Sequence, residues 1–178
     1  MGRYSQRPTV RIASILSRVP PTSRMLTNIL IAAGLVVVTV FIHAVGFSAM
    51  IRAILRSHAL ERWGFLTVTA LVIALTCWLI VIHLAEISVW GLFYLLQGCL
   101  PDAESALYFS GATYTTVGYG ELVLPKPWRM FAALEALTGI LMCGLSTGLF
   151  FALVNRWIIN WMHRETAPEP PPAAPMNK

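Results

Sequence analysis

Thr113-Tyr114-Thr115-Thr116-Val117-Gly118-Tyr119-Gly120-Glu121 is the most distinctive run in the sequence. It is polar and glycine-rich, and it lies between two long apolar runs. A monovalent cation stripped of its water needs oxygen ligands at fixed spacing. Backbone carbonyls supply them when successive residues all aim C=O the same way. That demands unusual backbone angles, which Gly118 and Gly120 reach freely because they lack Cβ. Thr116 adds a side-chain oxygen at the inner end. Val117 and Tyr119 are expected to point away from the ion and brace the loop.

Composition agrees with a site of this kind inside a membrane. The chain has 178 residues, 57% of them hydrophobic and only 12% charged. That is the profile of an integral membrane protein, and the length suits one small membrane domain. The formal charge of +5 does not point to nucleic acid, because the arginines flank apolar runs and read as interface charges. Cys77, Cys99 and Cys143 lie in or beside apolar runs without metal-ligand spacing, so they read as small buried hydrophobes and not as a disulfide framework.

Three apolar segments flank the stretch. Residues 1–24 form a basic tail broken by Pro8, Pro20 and Pro21, in which Arg3, Arg7 and Arg11 recur every fourth residue. It reads as a solvated tail, with anionic headgroups as the alternative partner of its basic face. Residues 25–63 hold the first segment, to about Ile54, and a polar link from Arg52 to Trp63 with the profile of a cytoplasmic loop. His43 is the ionisable residue inside this segment, and hydrogen bonding to a neighbouring helix is its expected role.

The second segment runs from Gly64 to about Gln97. His83, Glu86, Trp90 and Tyr94 fall on one helical stripe, and a carboxylate at that depth needs a partner. His83 and Glu86 are expected to pair with each other. A His-x-x-Glu pair is half a metal site, but no second such pair appears on another helix. After a turn at Gly98–Pro101, Asp102 caps a helix to about Tyr114 that is too short to span. Pro125 and Pro127 are expected to keep the following loop free of helix. The third segment runs from Met130 to about Trp161, and residues 162–178 form a proline-rich tail read as disordered.

Thr115-Thr116-Val117-Gly118-Tyr119-Gly120 resembles the selectivity filter of potassium channels. With the short helix before it and the apolar segment after it, residues 64–161 are similar to a pore domain of outer helix, pore helix, filter and inner helix. The chain as a whole resembles small bacterial potassium channels with an extra N-terminal helix. The resemblance implies an all-α membrane protein with three transmembrane helices, a re-entrant pore helix and a filter loop. One filter per chain implies a homotetramer in the lipid bilayer.

Position by position, the resemblance assigns the ion-binding oxygens to Thr116, Val117, Gly118, Tyr119 and Gly120. Thr113, Thr115, Glu121 and Glu135 support the filter. Gly139 aligns with the gating hinge, with close helix packing as the alternative reading. Ile140, Cys143, Gly144 and Thr147 then line the inner cavity. The family commonly has Asp where this chain has Glu121, and some members carry a carboxylate where this chain has Ala112. The acid pair that braces such filters is therefore missing, and Glu135 or Glu86 is expected to brace from another direction.

The implied function is passive K⁺ conduction, with K⁺ as permeant ion, no cofactor, no metal beyond K⁺ at the filter, and no soluble partner. A weakly selective cation channel and a non-conducting subunit stay open as alternatives. No catalytic constellation is present, so an enzyme is not expected. A filter facing outwards puts the Arg52–Trp63 link inside. If the first segment spans, the basic N-terminus is then outside, against the positive-inside tendency. An interfacial or re-entrant first segment is the alternative to spanning. The resemblance and small size imply a bacterial inner membrane.

Overall fold

The computed structural model describes residues 21–56 and 65–165. The basic tail with Arg3, Arg7 and Arg11, the link residues 57–64 and the proline-rich residues 166–178 lie outside the described part. Four α-helices make up the rest: α1 (Pro21–Arg56), α2 (Phe65–Leu96), α3 (Ala103–Tyr114) and α4 (Arg129–Glu165). No strand occurs among the described residues. Leu26–Arg56, Leu66–Leu96 and Lys126–Arg156 are each 31 residues long and apolar enough to cross a membrane. A span needs only ~20 residues. The chain is an integral, multi-pass membrane protein.

Local sequence sets the helix ends. Pro21 is the first residue of α1, where its missing N–H and fixed φ cost nothing. The expected tail of residues 1–24 therefore gives up its last four residues to helix. At the other end α1 continues through Arg52 to Arg56, so these arginines sit on the helix and not in the link. α2 closes on Gly98 at φ 64°. The Cys99 N–H reaches Tyr94 O at 2.9 Å and the Gly98 N–H reaches Leu95 O at 3.0 Å, the paired bonds of a Schellman cap. Asp102 caps α3 by accepting the Ser105 N–H at 2.8 Å, and this bond holds its carboxyl below the usual range.

The exit loop contains one helical turn that the prolines were expected to forbid. Lys126–Trp128 is a 3₁₀ turn with a proline in its first positions, where no backbone donor is needed. Trp128 N–H closes it on Pro125 O at 2.9 Å.

The long helices alternate in direction. α1 packs on α2 and α4, and α3 packs on α2 and α4. At one end a cluster of Trp90, Tyr94, Leu100, Phe109, Leu124 and Phe131 gathers with Ala32 of α1. At the other, Met50 and Ile54 of α1 meet Leu75 of α2, with Leu149 and Leu153 of α4 beside them. α1 is thus parallel to α4 and antiparallel to α2. Gly46 allows the close α1–α2 approach: a Cβ there would lie 2.7 Å from the Ile82 side chain. Trp78 Nε1 donates to Gly46 O at 2.9 Å. Ser48, two residues on, is exposed.

Cys77 and Cys143 also correct an expectation. Both are exposed in the single chain. Cys99 is half-buried against the aromatic cluster, and burial pushes its thiol up to about 11. Such a thiol is a poor nucleophile at neutral pH.

α1 is unbroken, which removes the re-entrant alternative. Its packing along the full length of α2 disfavours an interfacial helix. Asn28 Nδ2, near the start of α1, donates to Pro127 O in the exit loop at 3.4 Å. The N-terminal end of α1 is therefore level with the loop that follows residue 121. A Ser5→Cys variant with the three native cysteines replaced tests the consequence in intact cells. Strong labelling by an impermeant thiol reagent is expected, and protection until the membrane is opened would contradict a spanning α1.

Candidate pore loop and its anchors

α3 ends at Tyr114, and the chain turns back on it at once. The Thr115 N–H bonds to Gly111 O at 3.1 Å, Thr116 N–H to Thr113 O at 2.9 Å and Gly118 N–H to Ala112 O at 3.0 Å. Thr115 Oγ1 also donates to Gly111 O, at 2.7 Å. These donors serve the last carbonyls of a helix, which have no partner within it. The helix end that remains is the negative end of the α3 dipole, next to the loop and favourable to a cation.

Positive φ then recurs at every second residue: 62° at Thr116, 54° at Gly118 and 83° at Gly120. Alternation between left- and right-handed backbone turns successive peptide units to the same side. This is the condition for a row of carbonyls facing one line. Glycine adopts such angles freely, whereas Thr116 does so at a cost on the order of 1–3 kcal/mol. The bonds from residues 115, 116 and 118 onto the end of α3 hold it there. Residues 115–121 are all exposed in the single chain, including Val117 and Tyr119. Tyr119 stacks on Tyr108 of α3, with ring centroids 6.4 Å apart and planes 9° from parallel. Thr113 is half-buried at the end of α3.

Three hydroxyls of α3 each meet a different carboxylate. Tyr108 Oη donates to Glu121, just beyond the loop. That bond pushes the Tyr108 phenol above its usual range, so it remains a donor into alkaline conditions. Ser110 Oγ donates to Glu135 of α4, and lies 2.8 Å from Ile87 O of α2. Tyr114 Oη donates to Glu86 of α2. Glu135 also accepts from Tyr94 Oη at 2.8 Å, and both acids are fully buried. The position of Ala112 holds no carboxylate, but these contacts tie the same helix to its neighbours on three sides.

Gly139 is where α4 meets the end of α3. A Cβ there would lie 2.1 Å from Tyr114 O and 2.9 Å from Tyr114 C. Only glycine fits there, which supports the packing reading of this residue, and α4 runs through it without a break. Ile140, Cys143, Gly144 and Thr147 are exposed along one face of α4. A Cβ at Gly144 would meet nothing within 4 Å.

One grouping went unseen in the sequence. His43 Nδ1 lies 2.9 Å from Glu86 Oε1, and His83 Nδ1 lies 3.3 Å from Glu86 Oε2 and 3.1 Å from Tyr114 Oη. Ser146 Oγ of α4 lies 3.5 Å from His43 Nε2 and 3.2 Å from His83 Nε2. The pairing of His83 with Glu86 was legible from their spacing of three. The arrival of His43 depends on the α1–α2 register, which no local pattern states.

The two inner-helix glycines separate packing from free space. Gly139→Ala is expected to destabilise the purified protein by about 1–3 kcal/mol or more, because the obstacle is backbone. Gly144→Ala is expected to be neutral or to stabilise by up to about 1 kcal/mol, the helix-propensity gain. Thermal unfolding of the two variants in detergent measures the difference, and equal midpoints would contradict the close contact at Tyr114.

Residues 66–156 match a family model described as "Ion channel". No curated protein and no solved structure gives a match. The matched residues begin in α2, pass through α3 and the loop, and end in α4. α1 precedes them as an additional apolar helix. With its pore-type domain of two spanning helices and one more membrane helix in front, the chain belongs to the ion-channel family.

Proposed function

We propose that the chain is a potassium-selective channel, with four copies surrounding one pore and K⁺ passing passively down its gradient. The observation that carries this reading is the alternation of positive φ at Thr116, Gly118 and Gly120 in a loop tied to the end of a short helix. In the proposed filter, the oxygens of residues 116–120 replace the hydration shell, and repulsion between queued ions speeds exit.

The exposed faces support assembly. One chain supplies one wall only, and residues 115–121 together with Ile140, Cys143, Gly144 and Thr147 are exposed in it. A ring of four copies would bring both sets to a common axis, the first as filter and the second as lining of the inner cavity. Thr113, Thr115, Glu121 and Glu135 act as support, the last two through Tyr108 and Ser110. K⁺ is the permeant ion, and the reading calls for no cofactor and no soluble partner. The small size and the filter resemblance favour a bacterial inner membrane.

The tethers of α3 favour a firm filter over a weakly selective one. Flux into liposomes holding the purified protein tests the proposal, with K⁺ and then Na⁺ as permeant ion and Ba²⁺ as blocker. K⁺ flux that Ba²⁺ stops, with little Na⁺ flux, is expected. Equal K⁺ and Na⁺ flux would replace the reading with a weakly selective cation channel. No flux would point to a non-conducting subunit.

A further inference from the structure

The buried cluster at the inner end of α3 has the donors and the support of a metal centre. We infer that His43, His83 and Glu86 form a site for a first-row divalent cation of the Zn²⁺ class. The site lies among the helices, directly behind the start of the loop at residue 115.

Three facts converge on this. The first is the ligand set. Two imidazoles and one carboxylate place one ligand atom each within 4.8 Å of one another. They come from two helices, with His83 and Glu86 one turn apart on α2 and His43 facing them from α1. A four-coordinate Zn²⁺ has Zn–N of about 2.0–2.1 Å and Zn–O of about 2.0–2.2 Å, so its ligand atoms stand roughly 3.4 Å apart. His43 Nδ1 and His83 Nδ1 already stand 2.9 and 3.3 Å from the two oxygens of Glu86. The three donors thus lie close to the spacing that one ion requires. Tyr114 Oη, bonded to Glu86 and 3.1 Å from His83 Nδ1, is a further oxygen at the cluster.

The second fact is what lies behind the ligands. Metal-bound imidazoles donate their other ring N–H to a fixed acceptor, which orients the ring. Here both Nε2 atoms face one oxygen, Ser146 Oγ. A hydroxyl oxygen has two lone pairs and accepts from both. With a divalent ion on the Nδ1 side, both Nε2–H groups would point at Ser146.

The third fact is access. His43 and Glu86 are buried, but His83 is 19% exposed. A cleft between α2 and α4, lined by Thr76, His83, Cys143, Ser146 and Thr147 among others, reaches the cluster from the exposed face of α4. An ion entering from that side meets His83 and Ser146 first. The metal would act on the loop through Tyr114, whose carbonyl packs on Gly139 and whose hydroxyl is shared with Glu86.

Co²⁺ titration of the purified full-length protein in detergent micelles tests the inference independently of any ion flux. One Co²⁺ per chain is expected, with visible bands of four-coordinate intensity, no thiolate charge-transfer band, and displacement by Zn²⁺. His43→Gln with His83→Gln should abolish these bands. Ser146→Ala keeps all three ligands and removes only the shared acceptor, so it should weaken binding by about 10–100-fold. Gel filtration of each variant confirms that it is folded and assembled. Absence of stoichiometric Co²⁺ uptake by the wild type would overturn the site and leave the cluster a hydrogen-bond ring. Bands that persist in the double His variant, or a thiolate band assigning the metal to Cys143, would overturn it equally.

Discussion

Hydroxyl-to-carboxylate hydrogen bonds made by one short helix set the positions of the loop and of the helices around it. α3 has 12 residues and cannot span a membrane, so its place is set by what it bonds to. Tyr108, Ser110 and Tyr114 bond to Glu121, Glu135 and Glu86. Each partner belongs to a different element: the exit loop, α4 and α2. A carboxylate in a membrane interior is expensive unless partnered, and an unmade buried bond costs more than a made one gains. The acids therefore oblige the helix to sit where its hydroxyls meet them. The helix end then fixes where the 116–120 loop begins.

This constraint reaches outwards through packing. The Tyr114 carbonyl leaves no room for a side chain at position 139, so α4 passes the end of α3 at backbone distance. Glu86 gathers His43 of α1 as well as His83, and Trp90 Nε1 bonds to Thr39 of α1 at 3.0 Å. α1 is outside the matched domain, yet it supplies partners to the buried polar stripe of α2 that anchors α3. Its role in the fold is thus electrostatic as well as apolar.

Much of this was legible in the sequence because it is local. The loop 113–121 stood out through its glycine spacing, and positive φ falls at Gly118 and Gly120, where the sequence called for unusual backbone angles. Three apolar runs of spanning length became three helices. The Asp102 cap and the stripe of His83, Glu86, Trp90 and Tyr94 followed from spacing alone. What was not legible depends on register between helices. The pairing of Ser110 with Glu135, of Tyr108 with Glu121 and of His43 with Glu86 joins residues 25, 13 and 43 positions apart. Gly139 read equally as hinge or packing residue until the Tyr114 carbonyl was placed against it. Cys143 read as buried because its neighbours are apolar, yet in the single chain it faces outwards.

If these bonds of α3 hold the loop with positive φ at residues 116, 118 and 120, losing two of them should loosen ion selection. The permeability ratio of K⁺ over Na⁺ in planar bilayers, for a Tyr108→Phe, Ser110→Ala variant beside the wild type, measures this. Both substitutions remove a hydroxyl and leave the loop sequence untouched. The ratio is predicted to fall by about an order of magnitude, a shift on the scale of one lost hydrogen bond. An unchanged ratio in a fully assembled variant would contradict the claim and leave the loop to hold its own shape.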